Sequence, residues 1–154
     1  MLSSWRQQAL IEAPVADVWA LVGDPNRFPE WASHVVAITG LAAVEGGETF
    51  TQTSQTMLGK HDTTFKIEEL DELHAIKLRC LDSGFYSRWV LTEAQDSTFI
   101  DIEVGIEPTA LRYRAMHAAA GGKRYFRKLA DDSIDGVRAL TQGSDPKGTS
   151  QRSR

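Results

Sequence analysis

Apolar and polar residues alternate along two parts of the chain, with a helical interval between them. Residues 5–13 alternate with a period of two, which predicts a strand with one wetter face. Apolar residues then recur at positions 15, 18, 19 and 22, directly after Pro14, as expected for a short amphipathic helix. Gly23 ends that helix, and Asp24-Pro25 predicts the start of a second short helix through Trp31.

From residue 35 to residue 108 the period is again two, interrupted at short intervals by turn-forming residues. This spacing predicts six consecutive strands joined by short turns, which favours an antiparallel meander. The predicted breaks are Gly40, Gly46-Gly47, Gly59, Asp71-Glu72, Asp82-Ser83-Gly84 and Gln95-Asp96-Ser97. One face of these strands is apolar and the other carries charged residues, so one face is predicted to lie in water and the other to be covered.

Residues 110–142 are the only segment long enough to cover the apolar face. Their apolar positions recur at helical spacing, which predicts a long amphipathic helix, and Gly121-Gly122 predicts a kink within it or a separate short helix before it. From Gly143 the chain has no apolar residue, so residues 143–154 are expected to be a disordered tail. The pattern therefore predicts a single α+β domain over residues 1–142.

Composition excludes several classes of function. The net charge of −4 arises from interspersed acids and bases, so no basic face for nucleic acid is predicted. The sequence has no apolar run long enough to span a bilayer and no signal-like N-terminus, so a cytoplasmic protein without stable membrane insertion is expected. Cys80 is the only cysteine, which excludes an internal disulfide.

The segment Ile11–Trp31 carries the most distinctive motif. It contains Ala13-Pro14 followed by Val18-Trp19, then Asp24-Pro25 followed by Pro29 and Trp31, and a glycine-led strand begins later at Gly47. This pattern resembles the N-terminal signature of the START/SRPBCC superfamily, of the polyketide cyclase/dehydrase and lipid-transport type. The order of predicted elements extends the resemblance over nearly the whole chain up to Gln142.

The resemblance implies a helix-grip fold, in which a seven-stranded curved antiparallel sheet wraps around a long C-terminal helix, with two short helices after the first strand. It also implies a deep pocket for a lipid, a polyketide or another aromatic compound. Superfamily members include cyclases, hydrolases, ligand carriers and proteins without a known ligand, so the fold by itself does not imply an activity.

Candidate ligand-binding residues follow from the predicted inner face of the sheet, the mouth of the pocket and the inner stripe of the helix. Polar residues on the apolar face, including Gln7, can either orient a ligand or bond to backbone and water. The predicted ligand-binding set is Trp31, Phe50, Gln52, Ser54, Phe65, Ile67, Leu78, Ser87, Trp89, Ile102, Val104, Met116, Phe126 and Ala130.

Candidates for proton transfer are few. The catalytic candidates are His34, which follows the second short helix near the pocket mouth, and Tyr86 and Arg88. The alternation assigns Tyr86 and Arg88 to the outer face of the sixth predicted strand, whose inner residues are Phe85, Trp89 and Leu91. A shift of one residue in that strand would turn both inward and turn Ser87 and Trp89 outward. The four histidines form no metal-binding motif, so neither a metal nor a cofactor is predicted.

Three functions stay open at this stage. The first is a carrier or sensor that binds a hydrophobic small molecule, and the second is a polyketide aromatase/cyclase-type enzyme using an inward Arg, Tyr or His. The third is an interaction module with a vestigial pocket, which a cavity smaller than ~300 Å³ would favour. The oligomeric state is also open, with a homodimer as one possibility.

Overall fold

The computed structural model describes residues 3–56, 58–107 and 123–142, which form a seven-stranded antiparallel sheet and its covering helices. The strands are β1 (Ser3–Ile11), β2 (Val35–Thr39), β3 (Thr49–Thr56), β4 (Gly59–Asp71), β5 (Ala75–Cys80), β6 (Phe85–Ala94) and β7 (Ser97–Ile106). The helices are α1 (Val15–Val22), α2 (Phe28–Trp31) and α3 (Lys123–Thr141), with a 3-10 turn at Pro25–Arg27. The predicted helix-grip architecture is confirmed.

The sheet order is β1-β7-β6-β5-β4-β3-β2, and every neighbouring pair is antiparallel. Strands β2 to β6 each pair with the next strand along the chain, as expected for a meander. Strand β1 lies at the edge of the sheet opposite β2 and pairs with β7. The meander predicted from the turn spacing is therefore present, and β1 and β2 form the two edges.

The two short helices follow from local sequence. The Gly23 amide donates to the Trp19 carbonyl at 2.8 Å and ends α1. The Asp24 carboxylate accepts from the Asn26 amide at 3.0 Å, which caps the next turn. The second helix is shorter than one continuous run from Asp24 to Trp31, because Pro29 has no N–H to donate back to the turn at Pro25.

The core lies between the inner face of the sheet and the three helices. Apolar residues predicted to face inward are buried along every strand from β3 to β7, and Phe126, Ala130, Ile134 and Val137 of α3 pack against them. Such burial, at about 25 cal/mol per Å², is the main stabilising term for the fold. The predicted kink at Gly121-Gly122 and the tail 143–154 lie outside the described residues.

A bulge in β4 departs from the simple alternation. The pairing of β4 with β5 shifts between Ile67 and Glu69, so Glu68 and Glu69 are consecutive yet both pair with cations on the outer face. The carboxylate of Glu68 accepts from Arg79 and that of Glu69 from Arg88, each at 2.8 Å. The outer face therefore carries one more acid than the period of two predicts.

Candidate functional site

A small cavity lies where the inner face of the sheet meets α2 and α3. Its volume is about 40 Å³, which suffices for a few water molecules but not for a drug-sized ligand. Its lining is Phe28, Trp31, Ala32, His34, Val35, Gln52, Phe65, Leu78, Phe85, Ser87, Trp89, Ile102, Val104, Leu129 and Ser133. The deep pocket that the resemblance implies is thus absent among the described residues.

Aromatic side chains explain why the space is small. Trp31 lies between Phe28 and Trp89, with edge-to-face ring distances of 5.1 Å and 5.4 Å. On the other side, the Phe85 ring lies 6.3 Å from Phe65 and 6.2 Å from Phe126. Rings in such arrangements fill the volume between sheet and helix and stabilise one another beyond their burial.

The structure brings most of the sequence-predicted residues together around this cavity. Predicted residues that line it are Trp31, His34, Gln52, Phe65, Leu78, Ser87, Trp89, Ile102 and Val104. Phe50, Ile67, Phe126 and Ala130 are buried in the core without lining the cavity. Ser54 accepts from the Gln52 amide at 3.0 Å, and Met116 lies outside the described residues.

Sequence reasoning missed part of the lining. Leu129 and Ser133 are four residues apart on α3, so both face the sheet, and this spacing was the available signal. Phe85 belongs to the inner set of β6, and its alternation with Ser87 also pointed to the cavity. Phe28, Ala32 and Val35 reach the cavity only because α2 packs across the sheet, which no local pattern indicates.

His34 is the only titratable side chain among the described residues that line the cavity. It is half-buried where α2 leads into β2, and its carbonyl accepts from the Gln55 amide at 2.8 Å. Burial lowers the pKa of His34, and the Asp132 carboxylate on α3 opposes this effect more weakly. The imidazole is therefore predominantly neutral at pH 7 and can accept a proton.

Tyr86 and Arg88 lie on the outer face of β6, away from the cavity. The Tyr86 hydroxyl donates to Glu103 at 2.8 Å, and the Arg88 guanidinium donates to both carboxylate oxygens of Glu69. Burial, followed by the hydrogen bond to Glu103, raises the pKa of Tyr86 to about 12. The alternation in β6 keeps Ser87 and Trp89 inward, so neither catalytic candidate of this strand reaches the cavity.

Gln7 is a structural contact and does not line the cavity. Its side-chain oxygen accepts from the Trp5 indole at 2.9 Å, and its amide donates to the Asp131 carboxylate of α3. The Arg127 guanidinium lies 5.7 Å from the Trp5 ring centroid. These contacts hold α3 against β1.

Neither a metal centre nor a membrane span is formed by the described part of the chain. No three His, Cys, Asp or Glu side chains within it are grouped as a metal ion would need. No helix within it is long and apolar enough to cross a bilayer.

Comparison with protein families extends this description. Residues 4–140 match the family described as polyketide cyclase/dehydrase and lipid transport. The chain belongs to this family. The match spans the whole fold from β1 to α3, and it confirms the resemblance inferred from the Ile11–Trp31 segment. None of the curated proteins matches the sequence.

Several solved structures have the same fold as this chain, although their sequences are only 12–16% identical to it. The Zhui aromatase/cyclase from Streptomyces sp. R1128 is 13% identical, with a TM-score of 0.74 and coverage of 92% of this chain and 94% of that one. A START superfamily protein from Mycobacterium smegmatis is 12% identical, with a TM-score of 0.70 and coverage of 92% and 98%. The di-domain aromatase/cyclase StfQ of the steffimycin biosynthetic pathway is 16% identical, with a TM-score of 0.72 and coverage of 93% and 51%. At these identities the similarity establishes the helix-grip fold of this family member.

Proposed function

We propose that this family member binds a hydrophobic small molecule between its sheet and α3 and acts as a carrier or sensor. The observation that carries the proposal is the composition of the cavity lining. Apolar and aromatic side chains dominate it, and Gln52, Ser87 and Ser133 add isolated uncharged polar groups. Small-molecule sites commonly combine an apolar wall with a few polar groups that orient the ligand.

The volume of about 40 Å³ is below the ~300 Å³ under which an interaction module is favoured, so the proposed binding requires that a ligand displace side chains. Leu129 of α3 and Phe85 of β6 are the partly buried apolar side chains of the lining, so we expect them to move first when a ligand enters. Phe85 also joins the Phe65 and Phe126 rings, and its rotation would enlarge the cavity towards α3. We therefore expect binding to open the space that the aromatic rings fill between the sheet and α3.

His34 supports a second candidate, an aromatase/cyclase-type enzyme. A half-buried, neutral imidazole on the cavity wall is suited to take a proton from an enolisable substrate. Such an enzyme also needs a donor that stabilises the developing oxyanion. Tyr86 and Arg88 point to the opposite face, which favours binding without catalysis as the first candidate.

Fluorescence titration with the neutral apolar probe N-phenyl-1-naphthylamine tests binding. Ser87→Leu extends a larger apolar side chain into the cavity and should weaken probe binding by about tenfold or more, as expected for a blocked apolar site. The matched control is Thr92→Leu, which changes an exposed outer-face position of the same strand. Thermal unfolding of both variants checks that each one is folded.

Two results would overturn the proposal. Absence of probe binding, together with native mass spectra that show no carried molecule, would favour the interaction module with a vestigial pocket. Turnover of a poly-β-ketone mimic that is lost in His34→Gln and kept in Arg88→Ala would instead establish the enzyme. Probe binding that is weakened by Ser87→Leu and unchanged by Thr92→Leu supports the proposed function.

A further inference from the structure

The charged side chains of the central strands that form ion pairs lie on the outer face of the sheet, opposite the cavity. On the outer face, Arg79 binds Glu68 at 2.8 Å and Glu107 at 3.0 Å, and Arg88 binds Glu69. The cavity lining described above holds no Lys, Arg, Asp or Glu. These strand charges therefore pair with one another on the side opposite the cavity.

The polar groups that do line the cavity are uncharged. The amide of Gln52 and the hydroxyls of Ser87 and Ser133 supply both hydrogen-bond donors and acceptors. His34 adds an imidazole that burial keeps neutral near pH 7. The charge that acts on His34 is the Asp132 carboxylate of α3, which itself accepts from Lys128 at 2.7 Å on the exposed side of the helix.

We infer that the ligand of this cavity is a neutral amphiphile whose polar end is a hydroxyl or carbonyl group, and that ionised carboxylates are rejected. This inference rests on the proposed function and specifies its ligand class. A hydroxyl or carbonyl can exchange hydrogen bonds with Gln52, Ser87 and Ser133. A buried carboxylate would lose its hydration without gaining a cationic partner from the described lining, which is strongly unfavourable.

Competition between two ligands of equal chain length tests the inference. Decan-1-ol and decanoate displace bound N-phenyl-1-naphthylamine at about pH 8, where the carboxylic acid is ionised and His34 is neutral. For the wild-type protein, half-displacement should need a decanoate concentration higher by about tenfold or more than that of decan-1-ol.

Variants that place a cation at the cavity separate this effect from simple partitioning. Leu129→Arg and Ser133→Arg each add a permanently charged guanidinium to the part of the cavity wall that α3 forms. Because Leu129 is only partly buried, the longer arginine side chain can extend towards solvent at that position. In at least one of the two variants, the ratio of the half-displacement concentration of decanoate to that of decan-1-ol should fall about tenfold. Thr92→Arg adds the same charge to the outer face and should leave the ratio unchanged.

Equal displacement by decanoate and decan-1-ol in the wild-type protein would overturn the inference while leaving the proposed binding function intact. An unchanged ratio in both α3 variants, if folded, would also overturn it. Failure of the probe and of both competitors to bind would overturn the proposed function, and this inference with it.

Discussion

Gly136 lies in the interior of α3, where glycine disfavours helix formation by about 1 kcal/mol relative to alanine. An ideal Cβ atom at this position would lie 2.0 Å from the Trp31 carbonyl oxygen and 2.9 Å from its carbonyl carbon. Both atoms belong to the backbone of α2, so no side-chain rotation can relieve the contact. The close approach of α3 to α2 therefore requires glycine here.

The cost of Gly136→Ala can be worked from these distances. The shortest ordinary carbon–oxygen contacts are about 3.3 Å, so the two helices would have to separate by about 1.3 Å. Overpacking of a core commonly costs ~1–3 kcal/mol, and contact with rigid backbone places this site at or above the upper end. After the helix-propensity gain is subtracted, we expect a net loss of about 2 kcal/mol, which lowers the Tm by roughly 4–8 °C.

Urea and thermal unfolding, followed by circular dichroism, measure this loss. The matched control is Gly46→Ala, because an added Cβ at Gly46 has no atom within 4 Å. The control should change the free energy of unfolding by less than about 0.5 kcal/mol. A Gly136→Ala protein as stable as the wild type, or more stable, would refute the close-approach explanation.

Two further predictions concern His34 and Tyr86. Burial lowers the pKa of His34 in the folded protein below its ordinary value of 6.5. As the pH falls below 6.5, the unfolded chain binds a proton at His34 more readily than the folded protein does, so the free energy of unfolding decreases. His34→Gln should therefore lose less stability than the wild type on acidification from about pH 8 to about pH 5, measured by urea unfolding; identical pH slopes would contradict this. The Tyr86 phenol should ionise only at a pKa of about 12, visible as the difference between the ultraviolet titrations of wild type and Tyr86→Phe. A difference titration centred near the ordinary value of 10.0 would show that neither burial nor the Glu103 hydrogen bond holds the proton.

Local patterns predicted a large part of the architecture. The alternation of apolar and polar residues predicted strands β2 to β7 and the inner faces of β3 to β7, because successive side chains of a strand point to opposite faces. Asp24-Pro25 predicted the capped start of a short helix, and the Asp24 carboxylate does accept from the Asn26 amide, although a 3-10 turn at Pro25–Arg27 precedes α2. The same alternation predicted that Ser87 and Trp89 face inward, where both line the cavity.

Other features depend on contacts between distant segments. Tyr86 belongs to the outer face, yet only 4% of it is exposed, because Lys77 and Arg79 each lie 5.3 Å from its ring centroid. The bulge that turns Glu69 outward depends on pairing of β4 with β5. Neither feature leaves a signal in the local sequence.

The sequence by itself determined which strands and helices form and which face of each is apolar, because those properties depend on neighbours a few residues away. The volume of the cavity was decided only in the tertiary structure. That volume is the small space left when aromatic side chains from α2, the sheet and α3 pack together, as the rings of Trp31, Phe65, Trp89 and Phe126 do here. The same packing brings the α2 backbone against Gly136. Glycine is therefore required at this position of α3, although it disfavours helix formation.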